Sequence, residues 1–312
     1  MSNIKHLLSI YDLSKQNIYE LLYQAFEFKK NKEHNHNICY RKTLGLMFDK
    51  PSTRTIVSFI VAMTQLSGNP IVLDVNNLQL KHRESIQDTA MVLSQYLDSI
   101  VIRTFDHHNI EKFAKFSSIP IINGLTNSEH PCQVLSDIMT IMELYNINTV
   151  KDLAKLNIVY IGDGSNNISC SLLGIVAILG LHYTIISPSM YCPKIDVLNK
   201  SLLYSSSSKA NIKVTTNIDE IHNADVIYTD VWTSMGYENE RYTRKQSLMP
   251  YQVNSILLQK ASKNCIVLHC LPAVKGEEIT SDIMERYKYS IIKQSENKLY
   301  MQKSILAYVV SK

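Results

Sequence analysis

The stretch Phe48-Asp49-Lys50-Pro51-Ser52-Thr53-Arg54-Thr55 brings hydroxyls and a guanidinium to one turn. It follows an apolar run, Leu44 to Phe48, that reads as a buried strand. It precedes a helical pattern with Val57, Ile60, Val61, Thr64 and Leu66 near 3.6-residue spacing. Pro51 stops the strand, and Ser52 or Thr53 caps the helix. A helix start leaves about four backbone N–H groups without partners and carries roughly half a positive charge. Ser52, Thr53, Arg54 and Thr55 added to that start make a site for a phosphate dianion. The same residues also fit an ordinary capped helix with a surface arginine.

Other stretches offer complementary chemistry. Arg103 closes the run Ser-Ile-Val-Ile-Arg and is a second cation, or a surface arginine at a strand end. In His130-Pro131-Cys132-Gln133 the proline suits a first helical position, so His130 and Gln133 face the same way. A histidine there can donate to an oxygen on which charge grows. A helix cap with a solvated glutamine is the plainer alternative. Gly162-Asp163-Gly164-Ser165-Asn166-Asn167 suggests a dinucleotide turn. However, Asn167 stands where the third glycine belongs, and the next strand ends in Ser187-Pro188 with no acid for a ribose. Asp230 ends an apolar strand as a helix cap or a partner for a cation. Cys270 follows His269 at a strand end, where a cysteine is more often a small buried hydrophobe. Residues 230–236 and 269–273 hold no Lys or Arg. They offer a carboxylate, a thiol, a thioether and a hydroxyl, a set suited to an amine.

These residues need positioning, and the chain provides it by alternation. The β-rich runs are Thr43–Phe48, Pro70–Leu73, Ser99–Arg103 and Pro120–Asn123, then Asn157–Ile161, His182–Ser187, Lys213–Thr215, Val226–Thr229 and Cys265–His269. Helical patterns separate them, so an α/β fold is expected: two domains, each a mostly parallel sheet with helices on both faces. A helix from Pro131 to Tyr145 bridges the domains. The boundaries expected are 1–142 and 143–291, with a terminal helix of about 292–312, clearest from Leu299 to Val310, packing back on the first domain. Every chemical stretch sits just after the carboxyl end of a strand, where ligands of open parallel sheets bind, and the active site is expected in the cleft between the domains. Ser205–Ser208 reads as a loop.

Composition narrows the class. The 312 residues suffice for two cores, and the net charge of +4 is too diffuse for a nucleic-acid binder. The cysteines at 39, 132, 170, 192, 265 and 270 form no Cys-x-x-Cys pair and read as free thiols in a reducing compartment. The first sixteen residues lack a signal-peptide core, and no stretch nears the roughly 18 apolar residues of a membrane span, so a cytoplasmic protein with no membrane partner is expected. His34, His36, His107 and His108 read as solvated loop residues, with no metal site.

Ser52-Thr53-Arg54-Thr55, His130-Pro131-Cys132-Gln133, Asp230-Val231-Trp232-Thr233-Ser234-Met235-Gly236 and His269-Cys270-Leu271-Pro272 occur in this order and at these separations. Together they resemble the ornithine carbamoyltransferases, from about Leu7 to about Lys303. The first two motifs are similar to those of the whole transcarbamoylase superfamily, and the last two to those of the ornithine branch. The resemblance implies transfer of the carbamoyl group of carbamoyl phosphate to the δ-amine of L-ornithine, giving citrulline and phosphate, without a cofactor. Carbamoyl phosphate would meet Ser52, Thr53, Arg54, Thr55, Gln79, Arg103, His130, Gln133, Cys270, Leu271 and Lys298. Ornithine would meet Asn167, Asp230, Ser234 and Met235. Arg103, His130 and Cys270 would be catalytic, with Cys270 orienting the amine and handling its proton. Gln79 would reach a neighbouring subunit in a homotrimer or a higher assembly of trimers.

Two positions depart from the family pattern. Ile56 replaces a second arginine after Thr55, and Lys298 replaces the arginine of a Glu-Asn-Arg motif. They keep open a catalytically weak homologue serving as an interaction or regulatory subunit. A transcarbamoylase for putrescine or N-acetylornithine also stays open.

Overall fold

Nine short runs of alternating and β-branched apolar residues form two wholly parallel sheets in the computed structural model, which describes residues 5–31, 37–50, 52–74, 84–234 and 236–310. Gln79, Met235, His34 and His36 lie outside these residues. The chain divides into two compact units, Met1–Met139 with Asn297–Lys312, and Thr140–Glu296.

In the first unit, helix α1 (Lys15–Lys30) precedes strand β1 (Thr43–Phe48), α2 (Thr53–Gln65), β2 (Asn69–Leu73) and α3 (Ile86–Leu93). Then come β3 (Ser99–Arg103), α4 (His107–Phe116), β4 (Ile121–Leu125) and α5 (Pro131–Leu144), the last five residues of which belong to the second unit. The sheet order is β2-β1-β3-β4. Parallel neighbours need crossovers, and right-handed crossovers that change direction at β1 put helices on both faces. Ile100, Ile102 and Ile121 pack with Ile110 and Phe113 of α4 in one apolar cluster.

The second unit holds α6 (Val150–Leu153), β5 (Asn157–Ile161), α7 (Asn167–Leu179), β6 (His182–Ile186), α8 (Ile195–Ser208) and β7 (Asn211–Thr215). It continues with β8 (Val226–Tyr228), α9 (Arg241–Leu248), α10 (Ser255–Leu258), β9 (Ile266–Leu268) and α11 (Ser281–Arg286). The order β7-β6-β5-β8-β9 changes direction at β5. Helix α7 is buried from Ile168 to Leu179 and ends on Gly180, whose φ of 82° is the left-handed C-cap conformation.

Three expectations are corrected. Ser205–Ser208 is not a loop but the last turn of α8, because the serines return their hydroxyls to helix carbonyls: Ser205 to Ser201 O at 2.9 Å and Ser207 to Tyr204 O at 2.9 Å. His107 and His108 open α4 behind the N-cap Asp106. The last helix, α12 (Lys288–Val310), begins before residue 292. Its first turns bury polar residues, Ser290, Gln294, Asn297 and Lys298, at helical spacing, so apolar periodicity does not reveal them. Helix α2 lies where the spacing predicts it, and it buries Thr55, Phe59, Ala62 and Met63, with Val57 half exposed.

Candidate active site

In each unit the functional side chains gather where the strand order reverses, the point at which open parallel sheets bind ligands. In the first unit these strands are β1 and β3, with Phe48 paired to Arg103 in register. Ser52 is the N-cap of α2, and its hydroxyl accepts from the Thr55 N–H at 3.4 Å. Thr53 and Arg54 are exposed in the first turn, and Thr55 is buried. Arg103 is buried at the end of β3.

Helices α5 and α12 complete this cluster. His130 and Gln133 are buried at the start of α5, which removes the reading of a solvated glutamine. Lys298 lies inside α12, buried, and its Nζ donates to Thr55 Oγ1 at 3.1 Å and to Gln133 Oε1 at 3.2 Å. Gln133 Nε2 donates to the buried carboxylate of Asp137 at 2.9 Å, which fixes the sense of its amide. Burial, with the charges of Lys298 and Arg103, holds the His130 pKa well below the ordinary histidine range. The imidazole is therefore neutral at physiological pH and can donate one N–H. Sequence reasoning missed two contributors. Asp137 lies one turn beyond Gln133 on the same helix face. Lys50 is buried, donates to Asn127 Oδ1 and stands 4.1 Å over the Phe105 ring.

In the second unit the reversal lies between β5 and β8. Gly162 (φ 130°) turns the chain after β5. The N-cap of α7 is Asn166, which was not expected to act: its Oδ1 accepts from Ser169 N–H at 2.9 Å and its Nδ2 donates to Asp230 Oδ2 at 3.1 Å. An asparagine just before an apolar helix is the signal that could have found it. Asn167, the first residue of α7, is half-buried beside it. The Cys270 thiol donates to the other Asp230 oxygen at 3.1 Å. Burial raises the Asp230 pKa above the ordinary carboxylate range, against the opposing pull of His269 and the thiol.

Two supports hold these loops. Arg244 of α9 donates to Asp163 Oδ2 at 2.7 Å, to the Trp232 carbonyl at 3.2 Å and to Glu240 at 2.8 Å. It thus links the turn after β5 to the loop after β8, which carries the half-buried Ser234. His269 and Glu278 are fully buried, and Glu278 Oε1 lies 3.1 Å from His269 Nε2. The ligand atoms of Asp230, His269 and Cys270 all lie within 4.8 Å of one another. Both His269 nitrogens are already engaged, Nε2 by Glu278 and Nδ1 by the Leu271 N–H at 2.9 Å. That leaves fewer than the three protein ligands of a catalytic zinc site.

Hydroxyls and buried cations at one reversal and an acid–thiol pair at the other are borne by two recognisable halves. Residues 5–143 match the carbamoyl-P binding domain of aspartate/ornithine carbamoyltransferase, and residues 154–309 match its Asp/Orn binding domain. The chain belongs to the aspartate/ornithine carbamoyltransferase family. The ornithine carbamoyltransferase of Anoxybacillus flavithermus is 42% identical over 305 residues, covering 97% of this chain and 95% of that protein. That of Methanosphaera stadtmanae is 42% identical, covering 98% and 99%. Among solved structures, the anabolic ornithine carbamoyltransferase of Campylobacter jejuni superposes with a TM-score of 0.92 at 34% identity, covering 98% of this chain and 99% of that one. The Pyrococcus furiosus ornithine carbamoyltransferase gives 0.90 at 39% identity, covering 97% and 96%.

Proposed function

We propose that this chain is an ornithine carbamoyltransferase, forming citrulline and phosphate from ornithine and carbamoyl phosphate. Its family and the names of its relatives support the reaction class. The observation that carries the choice of ornithine is the buried Asp230 carboxylate paired with the Cys270 thiol, in loops 230–236 and 269–273 that contain no Lys or Arg. An aspartate site would need cations there for a second carboxylate.

Residues 1–142, with about 292–312, serve carbamoyl phosphate, and residues 143–291 serve ornithine. Ser52, Thr53, Thr55 and the Arg54 guanidinium hold the phosphate at the α2 N-terminus, joined by Lys298 and by Gln79. Arg103 and the neutral His130 donate to the carbonyl oxygen, where charge grows as the tetrahedral centre forms. Gln133 Oε1 has two lone pairs; Lys298 takes one, and the carbamoyl amide donates to the other. The Leu271 carbonyl accepts a second amide hydrogen. Asn167 binds the α-carboxylate of ornithine at the α7 N-terminus, and Asp230 binds its α-amine. Ser234 and Met235 close over the side chain, excluding water that would hydrolyse the donor. The neutral δ-amine, oriented by Cys270, forms the new C–N bond. It releases a proton as the C–O bond to phosphate breaks.

The enzyme works in the cytoplasm, in arginine biosynthesis or in the reverse, catabolic direction, as a homotrimer in which Gln79 crosses to a neighbouring site. Among the described residues no helix is long and apolar enough to cross a membrane.

Arg54 supplies the test. Arg54→Ala removes a charge-assisted contact to a dianion, so carbamoyl phosphate binding, read by calorimetry, weakens by roughly 2–5 kcal/mol while the fold survives. Unchanged affinity in Arg54→Ala would remove the phosphate assignment.

A further inference from the structure

The Cys270–Leu271 turn rests on a buried group that touches no substrate in the mechanism above. Leu271 has φ 58°, in the left-handed region that costs a side-chain-bearing residue on the order of 1 kcal/mol. Its N–H is held by His269 Nδ1 at 2.9 Å. A ring nitrogen that accepts carries no proton, so the hydrogen of His269 is on Nε2, pointing at Glu278 Oε1 3.1 Å away. The same Oε1 accepts from the Val274 N–H at 2.6 Å. Glu278 is fully buried and its Oε2 has no hydrogen-bond partner among the described residues, so the carboxylate is committed through one oxygen. One carboxylate oxygen thus sets the tautomer of His269 and ties down both ends of the turn, 269 and 274.

We propose that Glu278 is a positioning residue for the transfer: acting through His269, it aims the Cys270 thiol and the Leu271 carbonyl at the reacting groups. The claim rests on the ornithine carbamoyltransferase reading for its kinetic consequence and on geometry alone for its conformational one. Reach, rather than charge, is what Glu278 contributes.

Two variants of the full-length protein separate these. Glu278→Asp keeps the charge and withdraws the oxygen by about 1.5 Å, whereas Glu278→Gln keeps the reach and removes the charge. Two readouts are taken: kcat for citrulline formation, and the alkylation rate of each cysteine with iodoacetamide, followed by peptide mass spectrometry without substrates. In Glu278→Asp, kcat falls roughly 10- to 100-fold, the usual consequence of displacing a reacting group by about 1 Å. Cys270 alkylates about tenfold faster as the turn loosens, while the half-buried Cys192 and the buried Cys265 keep their wild-type rates. Glu278→Gln stays within about threefold of wild type in both readouts. The proposal is overturned if Glu278→Asp leaves kcat and Cys270 labelling within threefold of wild type. It is equally overturned if Cys192 and Cys265 accelerate in step with Cys270, since that is general loosening. A wild-type protein that forms no citrulline would refute the ornithine reading instead, and the labelling result would still decide the role of Glu278.

Discussion

Lys298 joins two parts of the proposed carbamoyl phosphate site, since one ammonium donates to Thr55 of the anion cradle and to Gln133 of the histidine helix. Arginine at this position would present a planar fork, whereas lysine presents a compact, strongly hydrated charge. The geometry therefore predicts an active enzyme with a deficit rather than an inert homologue. Lys298→Met keeps length and removes the charge. It should lose one to two charge-assisted hydrogen bonds, about 1–3 kcal/mol, seen as roughly 5- to 150-fold in the carbamoyl phosphate KM or in turnover. Lys298→Arg should recover activity toward the family arrangement. Steady-state kinetics of Lys298→Met indistinguishable from wild type would make Lys298 a packing residue. Asp230 carries a second prediction. Its folded pKa is raised, so the native state holds a proton more tightly than the unfolded chain does. Stability attached to this group is present at low pH and is lost as pH rises through the raised pKa. Asp230→Asn should therefore melt no lower than wild type at pH 8 while losing ornithine turnover. A clearly lower melting temperature there would contradict the sign of the shift.

The parallel sheets were legible because central strands such as β3 and β5, buried on both faces, read as continuous apolar runs. Every expected strand, including the more exposed edge strands β2 and β7, is present within a few residues. Loops at strand ends were legible because hydroxyls, proline and a histidine stand at fixed offsets from those runs. What the pattern hid was polar burial. The start of α12 and the serine turn of α8 carry polar residues that satisfy themselves locally or in the core, so apolar periodicity passes over them. Asp137, Arg244 and Glu278 were harder to find because each acts through another side chain, Arg244 on a partner far along the chain, whereas Asn166 was legible only as the cap of an apolar helix. The α7–α8 pair offers a test of fold without chemistry. A Cβ built on Gly180 would meet the Ser208 carbonyl oxygen at 2.4 Å, and φ is 82°. Gly180→Ala should cost roughly 1–3 kcal/mol, visible as several degrees in melting temperature, with the kcat of the folded enzyme retained. An unchanged melting temperature would show that the α7–α8 junction yields without strain.

Across the chain, one unit gathers hydroxyls and buried cations and the other an acid–thiol pair, each at the reversal of its strand order. The two family matches together span nearly the whole chain, and the proposed carbamoyl transfer assigns one substrate to each. The free amine has a pKa near 10.4, so only roughly one molecule in two thousand is neutral at pH 7, and turnover at limiting ornithine should rise from neutral pH to about 9. The most direct measurement is citrulline-type product formation from carbamoyl phosphate with ornithine, putrescine, N-acetylornithine and aspartate compared at pH 8. The account predicts that ornithine has the highest kcat/KM, by about 100-fold or more over acceptors lacking its free α-amino and α-carboxylate groups, because Asp230 and Asn167 would be left unpaired. Preference for putrescine or N-acetylornithine, or a folded protein that transfers to none of the four, would contradict it.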